Sequence, residues 1–171
     1  MRFALTLLAF LILTTPVMAQ ESRAPEFTHL QITMTGDGAN CGCPSEPGEE
    51  VSCCPKYAVT VDENGTVIYN GAQGAKVHGE KIYSISVEAV RELVANLFQI
   101  GFFSLQDRYV KKDLGNGYSQ TVDHAYATTI AIDIDGKKKS VYIFYGTPDA
   151  LVDLQRKLYV TLQLAQYTGR A

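Results

Sequence analysis

Four cysteines, Cys41, Cys43, Cys53 and Cys54, stand together in "CGCPSEPGEEVSCCPKY", and the chain has no others. Thiols at this spacing can do three things: close a loop as disulfides, hold a soft metal, or cycle redox equivalents. An even set with none left over fits two disulfides, because exported chains mature where thiols oxidise. Pairing Cys41 with Cys43 and Cys53 with Cys54 requires two very tight rings, the second between adjacent residues with strained geometry. Cross-pairing between the clusters is therefore preferred, and either crossing satisfies it. A bridge closing a ring of ~15 residues stabilises by about 3 kcal/mol in the loop-entropy account. It would pin the end of one strand beside the start of the next, across "PSEPGEEVS", which has little apolar surface of its own. The metal alternative, a thiolate site for Cu(I) or Zn, is disfavoured because structural zinc sites usually separate paired cysteines by two to four residues. No C-x-x-C supports a redox pair.

A second chemistry-bearing stretch runs from Asp107 to Tyr126, where Asp107, Tyr109, Asp113, Tyr118, Asp123, His124 and Tyr126 follow one another in a polar, Gly-containing connection. Carboxylates, an imidazole and tyrosines in one loop suit either a binding surface or an acid/base site built on Asp123 and His124. The plainer reading is a solvated loop with caps and turns. The other histidines, His29 and His78, read as half-exposed strand residues outside any metal spacing. No G-x-S-x-G, P-loop, H-E-x-x-H or dinucleotide glycine pattern is present. These motifs nominate no catalytic residue, no cofactor and no metal. Ten tyrosines and no tryptophan leave room for a recognition surface, since tyrosine combines contact area with a polar tip.

These residues need elements to hold them. Arg2, the apolar run Ala4 to Thr15 and the small-x-small Val17-Met18-Ala19 form a signal peptide over 1–19, with cleavage leaving Gln20 first. Gln20 in place of Cys argues against a lipoprotein anchor, and no later run reaches the roughly 20 apolar residues of a membrane span. Removing 19 of 171 residues leaves 152, the usual size of one domain. Loss of Arg2 takes the formal charge from −3 to −4, and Lys137-Lys138-Lys139 beside a glycine reads as a solvated turn. Nucleic acid is not an expected partner.

A flexible leader over 20–26 precedes one domain over 27–167. "FTHLQITMT" reads as a first strand. "KYAVTVDENGTVIYNG" is a hairpin whose Asn64-Gly65 tolerate positive φ, and "AKVHGEKIYSIS" is a further strand anchored by Val77, Ile82, Tyr83 and Ile85. The period then changes to that of a helix, with Ser86 as cap, Val87, Val90, Val94, Leu97 and Phe98 on one face, and Gly101 as stop. "TTIAIDIDG" and "KKSVYIFYG" form a second hairpin. Thr147 and Pro148 open a last helix with a stripe of Leu151, Leu154, Leu158, Leu162 and Ala165. The order β-β-β-β-α-β-β-α predicts an α+β fold, an antiparallel sheet of two hairpin units with both helices on one face.

With Cys54, Pro55 and Tyr57 followed by Asp62, Gly65, Val67, Tyr69 and Gly71, the chain resembles an uncharacterised bacterial exported domain family. That family is marked by a Cys-Pro-x-Tyr strand and an Asp-x-x-Gly-x-Val-x-Tyr-x-Gly hairpin. The resemblance runs roughly from Phe27 to Leu162 and implies export and an α+β fold, without an activity to transfer. The family usually carries its other cysteine only a few residues earlier, so the acidic insertion and two additional cysteines here imply a different bridge pattern. The combined expectation is a periplasmic or secreted, non-catalytic domain that binds a protein, a peptide or an envelope component. The alternatives are a small acid/base enzyme or a thiolate metal-handling protein.

Overall fold

A computed structural model describes residues 25–38 and 54–169. The predicted signal peptide, most of the predicted leader, and Cys41, Cys43 and Cys53 lie outside the described residues.

The fold is α+β. Seven strands form one sheet in the order β4-β3-β2-β1-β8-β9-β5: β1 (Leu30–Asp37), β2 (Tyr57–Asp62), β3 (Thr66–Gly71), β4 (Gly79–Ser84), β5 (Arg108–Val110), β8 (Ala127–Ile134) and β9 (Lys137–Tyr145). A separate hairpin joins β6 (Lys112–Gly115) to β7 (Tyr118–Gln120). The helices are α1 (Val87–Gln99), α2 (Asp149–Thr161) and the single turn α3 (Ala165–Thr168). All pairs in the large sheet are antiparallel except β5 with β9.

Period-2 alternation sends one face of the sheet inward. Leu30, Ile32 and Met34 of β1, Tyr57, Val59 and Val61 of β2, and Ile130, Ile132 and Ile134 of β8 belong to one buried cluster. That cluster also contains Val90, Leu93, Val94 and Leu97 of α1 and Leu151, Leu154 and Leu158 of α2. Each fully buried aliphatic side chain contributes about 1.5–3 kcal/mol, so the sheet–helix layer is the principal source of stability. The first expected strand, "FTHLQITMT", begins three residues later than its first apolar residue, at Leu30, and β1 lies between β2 and β8, joining the two hairpin units.

Turn chemistry explains the hairpins. The β2–β3 loop has three residues, and only Gly65 takes positive φ, at 81°; Asp62 Oδ1 accepts from the Asn64 and Thr66 amides at 3.0 and 2.7 Å. The expected positive φ at Asn64 is therefore not used, because a three-residue loop places its left-handed residue last. Asp135 and Gly136, at φ 48° and 85°, form the two-residue turn between β8 and β9.

Four further expectations need correction. Val87 and Phe98 are exposed, and Leu93 takes their place on the buried face of α1. Ile82 points away from the core while Tyr83 of the same strand points inward. Helix α2 starts after Pro148, with no side-chain cap from Thr147, and Ala165 is exposed because the chain turns at Gln163 (φ 52°) before α3. The three lysines are strand residues with partners. Lys137 lies over the Phe103 ring at 4.3 Å, Lys138 pairs with Asp133 at 3.1 Å, and Lys139 pairs with Asp107.

Candidate functional site

The largest departure from the expected layout is in the Asp107–Tyr126 connection, which is structured. β5 runs parallel to β9 and forms the sheet edge. The chain then makes the β6–β7 hairpin, turning on Asn116 and Gly117 at φ 52° and 80°. The signal was present in "DLGNGYS": Asn-Gly between two short polar-apolar runs is a strong hairpin cue, but its strands are short and carry no clear alternation.

Among the described residues no hydrogen bond or ion pair joins any two of the seven nominated side chains. Asp107 pairs with Lys139. Tyr109 belongs to the core, its hydroxyl accepting from the Gln106 amide at 3.3 Å. Asp113 Oδ1 accepts from the Gly115 amide at 2.8 Å and so fixes the hairpin locally. Asp123 and His124 are exposed, in the bend before β8. Tyr126 is half-buried, and its hydroxyl donates to the Pro55 carbonyl at 2.6 Å. Tyr118 stands in solvent, 73% exposed, with Leu114 beside it on the hairpin at 57%.

The base of the hairpin is anchored. Tyr145 on β9 donates from its hydroxyl to Gln120 Oε1 at 3.0 Å. A β-carbon at Gly146 would overlap the Lys111 carbonyl, and its φ of 74° also requires glycine there. Arg108 lies over the Tyr142 ring, 5.0 Å from its centroid. The arm is therefore joined at its root to the rigid sheet and presents its apolar side chains outward.

A second feature lies where the chain re-enters at Cys54. A cavity of about 300 Å³ opens between the sheet and α2, with Met34, Tyr57 and Tyr126 on one wall and Val152, Gln155, Arg156 and Tyr159 on the other. Gln155 Nε2 donates to Thr128 Oγ1 at 2.8 Å, and Arg156 pairs with Asp153 at 2.9 Å. The lining offers aromatic faces, a thioether and one guanidinium, which suits holding a side chain or small molecule rather than moving protons. No short stretch announces it, because its walls come from β1, β2, the approach to β8 and α2, which only the fold brings together.

Behind this cavity tyrosines form a continuous cluster. The Tyr57 ring stacks on Tyr69 at 6.1 Å between centroids, Tyr69 on Tyr167 at 4.9 Å, and Tyr167 on Tyr83 at 5.1 Å. Burial pushes the Tyr69 hydroxyl up to about 12, with Tyr159 nearby as the smaller cause, and pushes Tyr83 up further. Both hydroxyls donate to backbone carbonyls, Tyr69 to Tyr167 and Tyr83 to Leu162. They brace the C-terminal turn against the sheet and are not poised as acids.

At the mouth of the cysteine loop, a β-carbon on Gly38 would overlap the Cys54 backbone, so the two chain ends meet there. No curated protein matches the chain. Residues 52–160 match DUF6438, described as a domain of unknown function. That span starts at the second cysteine pair and takes in β2 to β9, α1 and nearly all of α2, whereas the central strand β1 precedes it. The chain belongs to the DUF6438 family.

Proposed function

We propose that this chain is an exported, non-catalytic domain that binds a protein, a peptide or a component of the cell envelope through the Asp107–Tyr126 segment. The observation that carries the reading is the β6–β7 arm, which holds Leu114 and Tyr118 in solvent on a root fixed by Tyr145 and Gly146. Exposed aromatic and aliphatic side chains on a rigid support lose little conformational entropy on contact and are typical anchors of recognition surfaces. Asp123 and His124 share no hydrogen bond, which favours binding over acid/base chemistry at this segment.

Export and the disulfide clamp belong to the same proposal. The charge and apolar pattern of residues 1–19 supports export. The approach of Gly38 to the Cys54 backbone, which brings the two ends of the cysteine loop together, supports bridges that close that loop. Intact mass of the purified chain should fall four hydrogens below the reduced form, as four cysteines in two bridges require.

A photo-crosslinking residue in place of Tyr118, with the same group in place of exposed Glu88 on α1 as control, tests the binding surface in the native cell. The reading expects a discrete adduct from position 118 and none from position 88. Identical adducts from both positions, no adduct at 118, or a turnover activity lost in Asp123→Asn/His124→Ala would overturn it.

A further inference from the structure

The sheet has two edges, and they are treated differently. β5 at one edge is three residues long and bears the β6–β7 arm. β4 at the other is six residues long, and among the described residues no strand pairs with its outer side. An unpaired strand presents a row of amides and carbonyls to any strand that can align with it, and proteins usually blunt such edges with prolines, bulges or inward charges. β4 has no proline and pairs with β3 without interruption from Gly79 to Ser84, and the one charge on its inward face, Lys81 opposite Tyr69, is itself exposed.

Its side chains are also unusual for an edge. Ile82 is 63% exposed and lies directly opposite Ile68 of β3, itself 42% exposed, on the face away from the helices. On the other face Lys81 and Tyr83 alternate with them, Tyr83 packing on Tyr167.

We propose that β4 pairs with β4 of a second copy, antiparallel about a twofold axis midway between the two Ile82 residues, joining two sheets into one of fourteen strands. The occupant is assigned by how the sequence meets itself. About an axis perpendicular to the sheet, residues opposite one another must point to the same face, so one residue must lie opposite its own copy, with the axis midway between them. An axis at Glu80 or at Lys81 sets like charges directly opposite, which destabilises a strand pair. An axis at Tyr83 leaves a ladder of only Ile82 to Ser84 within the strand. The axis at Ile82 keeps Glu80 to Ser84 paired, sets Glu80 against Ser84 and Lys81 against Tyr83, and opposes no like charges. It also aligns Ile68, Ile82, Ile82 and Ile68 in one row, in which the two Ile82 side chains pack flank to flank. This surface is separate from the arm, so the inference does not depend on the binding role proposed for Tyr118.

Because residue 82 meets only itself, substitution there gives a direct test. The chain as purified from its host is examined by sedimentation equilibrium from micromolar to millimolar concentration, alongside Ile82→Glu, Ile82→Lys and the control Val160→Glu, a substitution at an exposed position of α2. Far-UV circular dichroism and thermal melting establish that each variant is folded. The inference expects a wild-type dimer and an unchanged control. It expects each Ile82 variant to weaken self-association by more than about tenfold, and a one-to-one mixture of the two to recover a heterodimer through the Glu–Lys pair. A wild-type monomer up to millimolar concentration overturns it. So does a dimer that survives in either Ile82 variant, or a mixture that stays monomeric.

Discussion

Tyr69 and Tyr167 hold each other in two ways. Their rings stack with centroids 4.9 Å apart, and the Tyr69 hydroxyl donates to the Tyr167 carbonyl at 3.2 Å. One residue is in a strand of the sheet and the other is in the last turn of the chain, so this contact ties the C-terminal segment to β3. Val77 completes the tie, its amide donating to the same Tyr167 carbonyl at 2.8 Å.

Tyr69→Ala should cost about 3–5 kcal/mol, the range for removing a large buried aromatic side chain. Tyr69→Phe keeps the stack and should cost about 1 kcal/mol for the lost hydrogen bond. Urea denaturation of the two variants separates ring packing from hydroxyl bonding; equal losses would mean that the stack contributes nothing.

The buried tyrosines predict a loss of stability in alkali. The Tyr69 hydroxyl is raised from 10.0 to about 12 in the folded chain, and Tyr83 is raised as well, both chiefly by burial. A raised folded value means the unfolded chain releases its proton first. The stabilisation is therefore complete below pH 10 and is lost as pH climbs through about 12. Tyrosinate absorbance followed with circular dichroism should show these groups ionising together with unfolding, and Tyr83→Phe should flatten the decline.

Asp135 predicts the opposite dependence in acid. Its Oδ1 accepts from the His29 amide at 2.8 Å, the Thr28 hydroxyl at 2.9 Å and the Thr28 amide at 3.1 Å, and these bonds hold its carboxyl below the usual 3.8. A lowered value gives stabilisation that is complete above the ordinary carboxylate range and is lost as pH falls through the folded value. Asp135→Ala should remove that acid-side slope and loosen the entry to β1. Asp135→Asn should remove the slope but keep an acceptor and tolerate the φ of 48°. Stability measured against pH for the three proteins checks both statements.

Gly36 makes room for the Tyr126–Pro55 bond. A β-carbon there would overlap the Tyr126 hydroxyl and the Tyr57 ring, so Gly36→Ala should cost about 1–3 kcal/mol, the usual range for overpacking a core. Tyr126→Phe should cost about 1 kcal/mol from the lost bond to Pro55. If Gly36→Ala were neutral by thermal melting, the close packing of Tyr126 over β1 would be refuted.

The parts legible beforehand were those set by neighbours in the chain. Ser86 caps α1 as expected, its Oγ accepting from the Ala89 amide at 3.1 Å. Gly101 ends that region at φ 64°, and the β2–β3 and β8–β9 hairpins form where their turn residues put them. Helical period, alternation and turn chemistry are local, so a few residues suffice to declare them. The α+β class followed from their order.

Four features were decided only in three dimensions. Strand alternation does not say which strand lies beside which, so the β1–β8 pairing and the parallel β5–β9 pairing came from the shared helix-covered core. Alternation also left open which face of β4 would be covered, and the packing of Tyr83 on Tyr167 turned Ile82 to solvent. The nominated residues between Asp107 and Tyr126 were dispersed because β5, the arm and the approach to β8 carry them to different environments. The sequence by itself determined the elements and their amphipathic faces; the sheet order, the tyrosine brace and the open edge at β4 depended on long-range burial, which no short stretch encodes.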